Sequence, residues 1–322
     1  MTRCPVCNTV DGTEYLIREM MYGTKSVFRY RECSNCETLY FLDAADGAAK
    51  PDLYPPDYQT HIQPENLQID GGLALYARRK RWEYLTRHTG VVGKVLQNLK
   101  PISPPAWLLR SGMKDYDSRI LDVGCGSGSL LFYLRSIGFK DLNGVDPYIE
   151  KDILSERIKI KKGVLREMDG KFDSIIFHHS FEHLDEPLDY LKGSAELLKE
   201  RGRIIIGMPV KDCFAWEKYK TNWVQLDAPR HRVLLTRKSF KQLCDKAGLQ
   251  IVDSFSDSYD FQFWGSEQNS RGIPLHSEVS YMVNPAKSIF TPEMIEQYRL
   301  DSEKLNRENR GDQAVFILGI QA

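Results

Sequence analysis

The stretch RILDVGCGSGSLL, residues 119–131, constrains this chain more than any other part of it. An apolar run closes on three glycines, Gly124, Gly126 and Gly128, and an apolar helix start follows at once. A strand, a glycine turn and a helix in that order bring a ligand against backbone N–H groups and the positive end of the helix. The spacing narrows the ligand. In the dinucleotide fingerprint G-x-G-x-x-G the third glycine would stand at position 129, which is Ser129 here, and no Gly-Lys-Ser/Thr follows to hold phosphates and magnesium. Asp122, inside the strand just before the turn, would repel a pyrophosphate and suits a ligand that carries an ammonium group.

The next signal is LNGVDP, a short apolar strand that ends on Asp146 and Pro147. An acidic residue about 20 positions beyond the glycines can accept hydrogen bonds from both hydroxyls of a ribose. Ribose and ammonium without phosphate describe S-adenosylmethionine. ILDVGCGSGSLL with GVDP resembles the first two motifs of class I S-adenosylmethionine-dependent methyltransferases. The resemblance implies cofactor contacts from Asp122, Gly124, Cys125, Gly126, Gly128, Asp146, Pro147 and His178. It adds Tyr58, which with Tyr54 lies on the proline-stiffened LYPPDYQTH, where related enzymes fold a lid over the cofactor.

Seven cysteines divide into CPVC (Cys4, Cys7), CSNC (Cys33, Cys36) and three single residues, Cys125, Cys213 and Cys244. Two C-x-x-C knuckles around a strand-rich stretch read as a zinc ribbon with four thiolate ligands. A metal whose four positions are all sulfur has no place for water or substrate, so this zinc is expected to fold the segment and to do no chemistry.

Beyond Asp146, the runs RIKIKKG, FDSIIFHHS and RGRIIIGMP are short and continuously apolar, as strands buried on both faces are. EPLDYLKGSAELLKERG between the last two predicts a helix with Leu188, Leu191, Ala195 and Leu198 on one face and Gly202 at its close. TRKSFKQLCDKAGL predicts another, capped by Thr236 and stopped at Gly248. With QIVDSFSD and the terminal QAVFILGI, the pattern resembles the α/β, Rossmann-like seven-stranded methyltransferase sheet whose last strand is antiparallel. The expected division is a zinc ribbon over 1–45, a helical linker or lid over 46–115 and a methyltransferase domain over 116–322, with a substrate-facing insertion at about 261–311.

The ends of the fourth and fifth strands border the cleft of such a sheet. FEHLDEP there resembles an element of small-molecule methyltransferases, and WVQLDAPRHRVLLT resembles the W-x-x-L-D-x-P-R-H stretch of bacterial zinc-ribbon methyltransferases associated with sugars and surface glycans. For a hydroxyl or carbon-acid acceptor, a histidine near its ordinary pKa serves as general base. His231 and His183 are the candidates, with His179 behind them. The alternative for each is a tether that closes a loop. A divalent cation on Glu182 and His183 is a lesser reading, because no further carboxylate ligand is evident.

Lys plus Arg equals Asp plus Glu at 44 each, so no global positive field marks a nucleic-acid or membrane partner. The N-terminus lacks the apolar core of a signal peptide, and a cytoplasmic location is expected. The expected partner is a small-molecule methyl acceptor. An RNA methyltransferase that grips RNA through the ribbon and a catalytically silent cofactor-binding subunit are the alternatives.

Overall fold

The computed structural model describes residues 3–44 and 72–321. The chain opens on an antiparallel ribbon in which β1 (Gly12–Arg18) pairs with β2 (Val27–Cys33) and β2 with β3 (Leu39–Ala44). The described chain resumes in a helical hairpin of α1 (Gly72–Arg87) and α2 (Val91–Leu99). The two helices touch backbone to backbone at Gly93, where a Cβ would stand 2.1 Å from the Lys80 carbonyl oxygen. Trp82 of α1 is buried and meets Phe139 edge-on, which fixes the hairpin to the main body. The proline-rich stretch then leads into a short helix, α3 (Ala106–Arg110), that buries Trp107 and Leu108.

The body is a twisted sheet of β4 (Arg119–Val123), β5 (Asp141–Asp146), β6 (Ile153–Leu154), β7 (Ile158–Lys162), β8 (Phe172–His178), β9 (Leu198–Pro209), β11 (Leu249–Ser256) and β12 (Gln313–Ile320). Their order is β11-β12-β9-β8-β4-β5-β7-β6. The pairs from β7 through β9 are parallel, and β12 runs antiparallel between β9 and β11, as expected for a Rossmann-like methyltransferase sheet. The two residues of β6 add an antiparallel eighth strand at the edge. Central strands are buried along their length because helices cover both faces. From β4 the chain builds outward first through β5 and β7, then through β8 and β9. That reversal opens a crevice at the carboxyl ends of β4 and β8.

The helices α4 (Ser129–Ile137), α5 (Pro187–Leu197), α6 (Phe214–Tyr219) and α7 (Arg237–Lys246) make the crossovers and the approach to the last hairpin. Thr236 caps α7 as expected, its hydroxyl accepting from Ser239 N, and Gly248 follows the helix at φ +69°. The helix expected to run to Gly202 stops at Leu197 instead. Leu198 begins β9, opposite Phe172, and a bulge brings Arg203 opposite Ser174, so strand pairing takes the residues that periodicity assigned to the last helical turn.

Between β11 and β12 lie α8 (Phe261–Ser270) and α9 (Pro292–Arg307), within the expected insertion. Ile17, Phe28 and Tyr30 of the ribbon share one apolar cluster with Trp216 and Trp223 after β9 and with Phe263, Trp264 and Leu305 of the insertion. The short strand β10 (Val233–Leu234) extends the ribbon sheet by pairing with β3. The ribbon, the loop after β9 and the insertion thus pack as one unit over the crevice.

Candidate functional site

All three glycines of the loop after β4 take left-handed backbone, with φ of +74°, +52° and +88° at Gly124, Gly126 and Gly128. Space excludes a side chain as well. A Cβ on Gly124 would stand 2.5 Å from that of Ser180, whose hydroxyl donates to the Val123 carbonyl at 2.6 Å, and one on Gly128 would stand 2.3 Å from Ile160 Cδ1. The turn carries the chain past Asp146 at the end of β5. Gly126 N donates to Asp146 Oδ2 at 2.9 Å and Tyr148 N donates to Oδ1 at 2.8 Å. The carboxylate is thereby held at the wall of a cavity of about 400 Å³, which Gly124, Pro147, Tyr148 and Leu165 also line. A fixed acceptor with lone pairs to spare, beside backbone brought close by glycine, fits a ribose diol.

Four expected contacts, Asp122, Cys125, Gly126 and Gly128, stand behind this wall and do not line it. Asp122 is buried, and burial together with the Asp146 charge pushes its carboxyl up to about 7. Cys125 turns its sulfur toward Gly144. Tyr54 and Tyr58 lie outside the described residues.

A second cavity of about 520 Å³ adjoins the first, and Gly124, His179 and His183 line both. The turn after β8 supplies His179, Glu182 and His183, the loop after β9 supplies Gln225, Asp227 and His231, and Met21 and Tyr22 come from the ribbon. The insertion closes it with Phe261, Trp264 and His276. The residues expected as an insertion thus border this cavity. His178, expected at the cofactor, lines this second cavity instead and stacks on Trp107 at 4.9 Å. Burial and the neighbouring His179 pull its imidazole down to about 3.

The three candidate bases gather here. His183 and His231 meet edge to face at 4.8 Å. His231 Nδ1 lies 2.7 Å from the Gln225 carbonyl and so carries the proton, which makes Nε2 the basic nitrogen. Nε2 stands 3.8 Å from Glu182 Oε1 and 3.9 Å from Asp227 Oδ2. Burial and His183 together pull His231 down to about 4, so it is neutral at pH 7 with Nε2 unprotonated, but it is a weaker base than the histidine near its ordinary pKa that was expected. His183 Nδ1 sits 2.9 Å from the Arg230 carbonyl. His179, at φ +54°, has Nδ1 3.5 Å from Glu182 Oε1; burial opposes its charge, but Glu182 outweighs that and raises its pKa.

Sequence reasoning missed the clamp that aligns this floor. Glu19, buried in the ribbon, accepts from Met21 N, Tyr22 N and Thr24 N and from Arg230 Nη2 at 2.8 Å. Arg230 in turn grips Asp227. One carboxylate therefore shapes the ribbon loop and ties it to the loop that bears His231. No spacing signal could reveal this, because 211 positions separate the partners.

Among the described residues, two groups of side chains have the proximity of metal ligands. The sulfurs of Cys4, Cys7, Cys33 and Cys36 lie 3.4 to 3.6 Å apart along Cys4–Cys36, Cys7–Cys33 and Cys7–Cys36, and none is in a disulfide. Four converging thiols at one end of a hairpin fit a tetrahedral zinc ion. The second group is Glu182, His183 and His231, whose ligand atoms all fall within 4.8 Å of one another. Beside Glu182 and His183 the structure thus brings a histidine from the loop after β9, where the sequence had offered no third group.

The sheet order and the glycine-bordered crevice define a Rossmann-like methyltransferase fold. The family described as "Methyltransferase domain" matches residues 94–254, half of the chain, and the protein belongs to it. Over 192 residues the chain is 26% identical to a ubiquinone biosynthesis O-methyltransferase of Dinoroseobacter shibae, covering 54% of this chain and 71% of that protein. It is 28% identical over 110 residues to a tRNA U34 carboxymethyltransferase of Campylobacter hominis, covering 31% of this chain and 39% of that protein. Among solved structures, geranyl diphosphate C-methyltransferase from Streptomyces coelicolor, bound to Mg2+, geranyl diphosphate and S-adenosyl-L-homocysteine, superposes with a TM-score of 0.42 at 12% identity, over 66% of this chain and 76% of that one. The cyclopropane synthase MmaA2 from Mycobacterium tuberculosis gives 0.40 at 14% identity, over 63% and 78%.

Proposed function

We propose that this protein transfers the methyl group of S-adenosylmethionine to a small molecule, a sugar or sugar nucleotide of a surface-glycan or secondary-metabolite pathway. The observation that carries the reading is the pair of joined cavities, one walled by Asp146 and the glycine turn, the other floored by histidines. When bound, the cofactor supplies an electrophilic methyl group. The chain's own part is to hold the ribose at Asp146, to keep water from the junction at Gly124, and to orient and activate the acceptor. In the simplest form His231 Nε2 takes the acceptor's proton, and Glu182 and Asp227 steady the resulting imidazolium. The sugar class rests on the resemblance of WVQLDAPRHRVLLT. In this reading zinc at the four cysteines holds the ribbon that bears Met21 and Tyr22.

RNA is the competing acceptor, favoured by the stretch shared with a tRNA carboxymethyltransferase. Incubation with methyl-labelled cofactor and fractionated extract separates the two. Label in a low-molecular-weight, ribonuclease-resistant fraction supports the small-molecule reading; label only in RNA overturns it.

A further inference from the structure

The floor of the acceptor chamber buries more negative than positive charge. Glu19, Glu182 and Asp227 have side chains at most 8% exposed, and the guanidinium among them, Arg230, is shared between Glu19 and Asp227. Glu182 has no guanidinium or ammonium partner. It is 1% exposed, it lines the chamber, its Oε1 faces only imidazoles, His179 Nδ1 at 3.5 Å and His231 Nε2 at 3.8 Å, and its Oε2 has no hydrogen-bond partner among the described residues. A buried carboxylate in that position is costly unless a cation faces it.

We propose that Glu182, His183 and His231 hold a divalent first-row transition-metal ion on the floor of this chamber, and that the acceptor presents two neighbouring oxygens to it. The orientation of the imidazoles supports this. His231 directs Nδ1–H to the Gln225 carbonyl and His183 sets Nδ1 against the Arg230 carbonyl, the backbone anchoring that metal-binding histidines use to aim Nε2. Both carbonyls belong to the loop that Glu19 and Arg230 clamp, so the nitrogens are set before any ion arrives. Two imidazole nitrogens and one carboxylate oxygen suit manganese, iron, cobalt or zinc better than magnesium or calcium, which prefer oxygen. Three protein ligands leave open positions toward the cavity. A vicinal diol or a hydroxy-carbonyl unit fills two of them, and coordination lowers the pKa of its hydroxyl so that the proton leaves to water. With the ion in place Nε2 of His231 is a ligand, and acceptor activation passes from a free base to the metal. The acceptor part of this inference rests on the methyl-transfer reading above; the metal site does not.

The test is a titration of the purified full chain, its ribbon metal retained, with Mn2+ alone, free Mn2+ being read by electron paramagnetic resonance. The expected result is saturable binding of about one ion per chain, weakened at least about tenfold by His183→Ala and by Glu182→Gln. Thermal melts of the same samples show that each variant is folded, and calorimetry with S-adenosylmethionine reads cofactor binding by the wild-type chain. If Glu182→Gln does not fold, His183→Ala decides, because its side chain is only half-buried. Mn2+ that stays free at millimolar concentration, or binding that folded variants retain, overturns the site. Such a failure alongside intact cofactor binding leaves the methyl-transfer reading standing, whereas loss of cofactor binding by the wild-type chain would strike that reading instead.

Discussion

Asp146 is held by two backbone contacts that suit the ribose-binding role proposed for it. Each carboxylate oxygen takes one backbone N–H, which fixes the side chain and leaves lone pairs for a ligand. Asp146→Ala is expected to weaken S-adenosylmethionine binding by about 1.5 to 3 kcal/mol, the loss of charge-assisted hydrogen bonds, and calorimetry reads it directly. Asp122 makes a different prediction. Its carboxyl is raised by burial and by the Asp146 charge, so the folded state holds a proton that the unfolded state releases near the ordinary carboxylate pKa. Stability from this group is complete below that ordinary value and is lost as pH rises toward about 7. Asp122→Asn removes the dependence, so thermal melts of the ligand-free variant should gain on wild type between mildly acidic and neutral pH. A constant difference across that range would contradict the assignment. The position of Asp146 beside the glycine turn was legible in the sequence because strand-turn-helix geometry is local, whereas the burial of Asp122 behind the cavity wall was not. Glu19 and Arg230 were not, because only the tertiary fold joins them.

At the scale of elements, the ribbon does more than close on four sulfurs. Its loop after β1 contributes Met21 and Tyr22 to the second cavity, and Tyr22 stacks on His276 of the insertion at 4.8 Å. Backbone bonds from Leu275 and His276 to Met20 and Met21 join the same two elements. Cys33→Ser should therefore loosen residues far from the four sulfurs. Hydrogen exchange is expected to accelerate by about tenfold or more at Gln225–His231 and Leu275–His276, while β4 and the affinity for S-adenosylmethionine stay as in wild type. Unchanged exchange in those loops would show that the ribbon merely sits beside the site. The C-x-x-C spacing announced the ribbon itself, since ligand geometry needs it. Its attachment to the insertion depends on side-chain packing, which leaves no periodic trace. The end of α5 failed for a related reason: Leu198 suits a helix face and a buried strand equally, and pairing with Phe172 decides between them.

In the whole molecule, neutral net charge said little about the site, because the charges that matter are buried around Arg230 and Glu182. Among the described residues no helix is long and apolar enough to cross a membrane. The fold was readable as a methyltransferase sheet from the resemblance of its glycine turn, GVDP and the apolar strands that follow, and the strand order agrees. The acceptor chamber was readable only in part, since three segments far apart in sequence build it. In the proposed function the cofactor and the acceptor occupy separate cavities that meet at Gly124, His179 and His183, with His231 lining the second and not the first. The most direct test is single-turnover methyl transfer by His231→Ala to the fraction that wild type labels. The expected rate is about 10²- to 10⁴-fold lower, with S-adenosylmethionine affinity nearly unchanged. A variant that keeps the wild-type rate, or that loses cofactor affinity along with the rate, would contradict it.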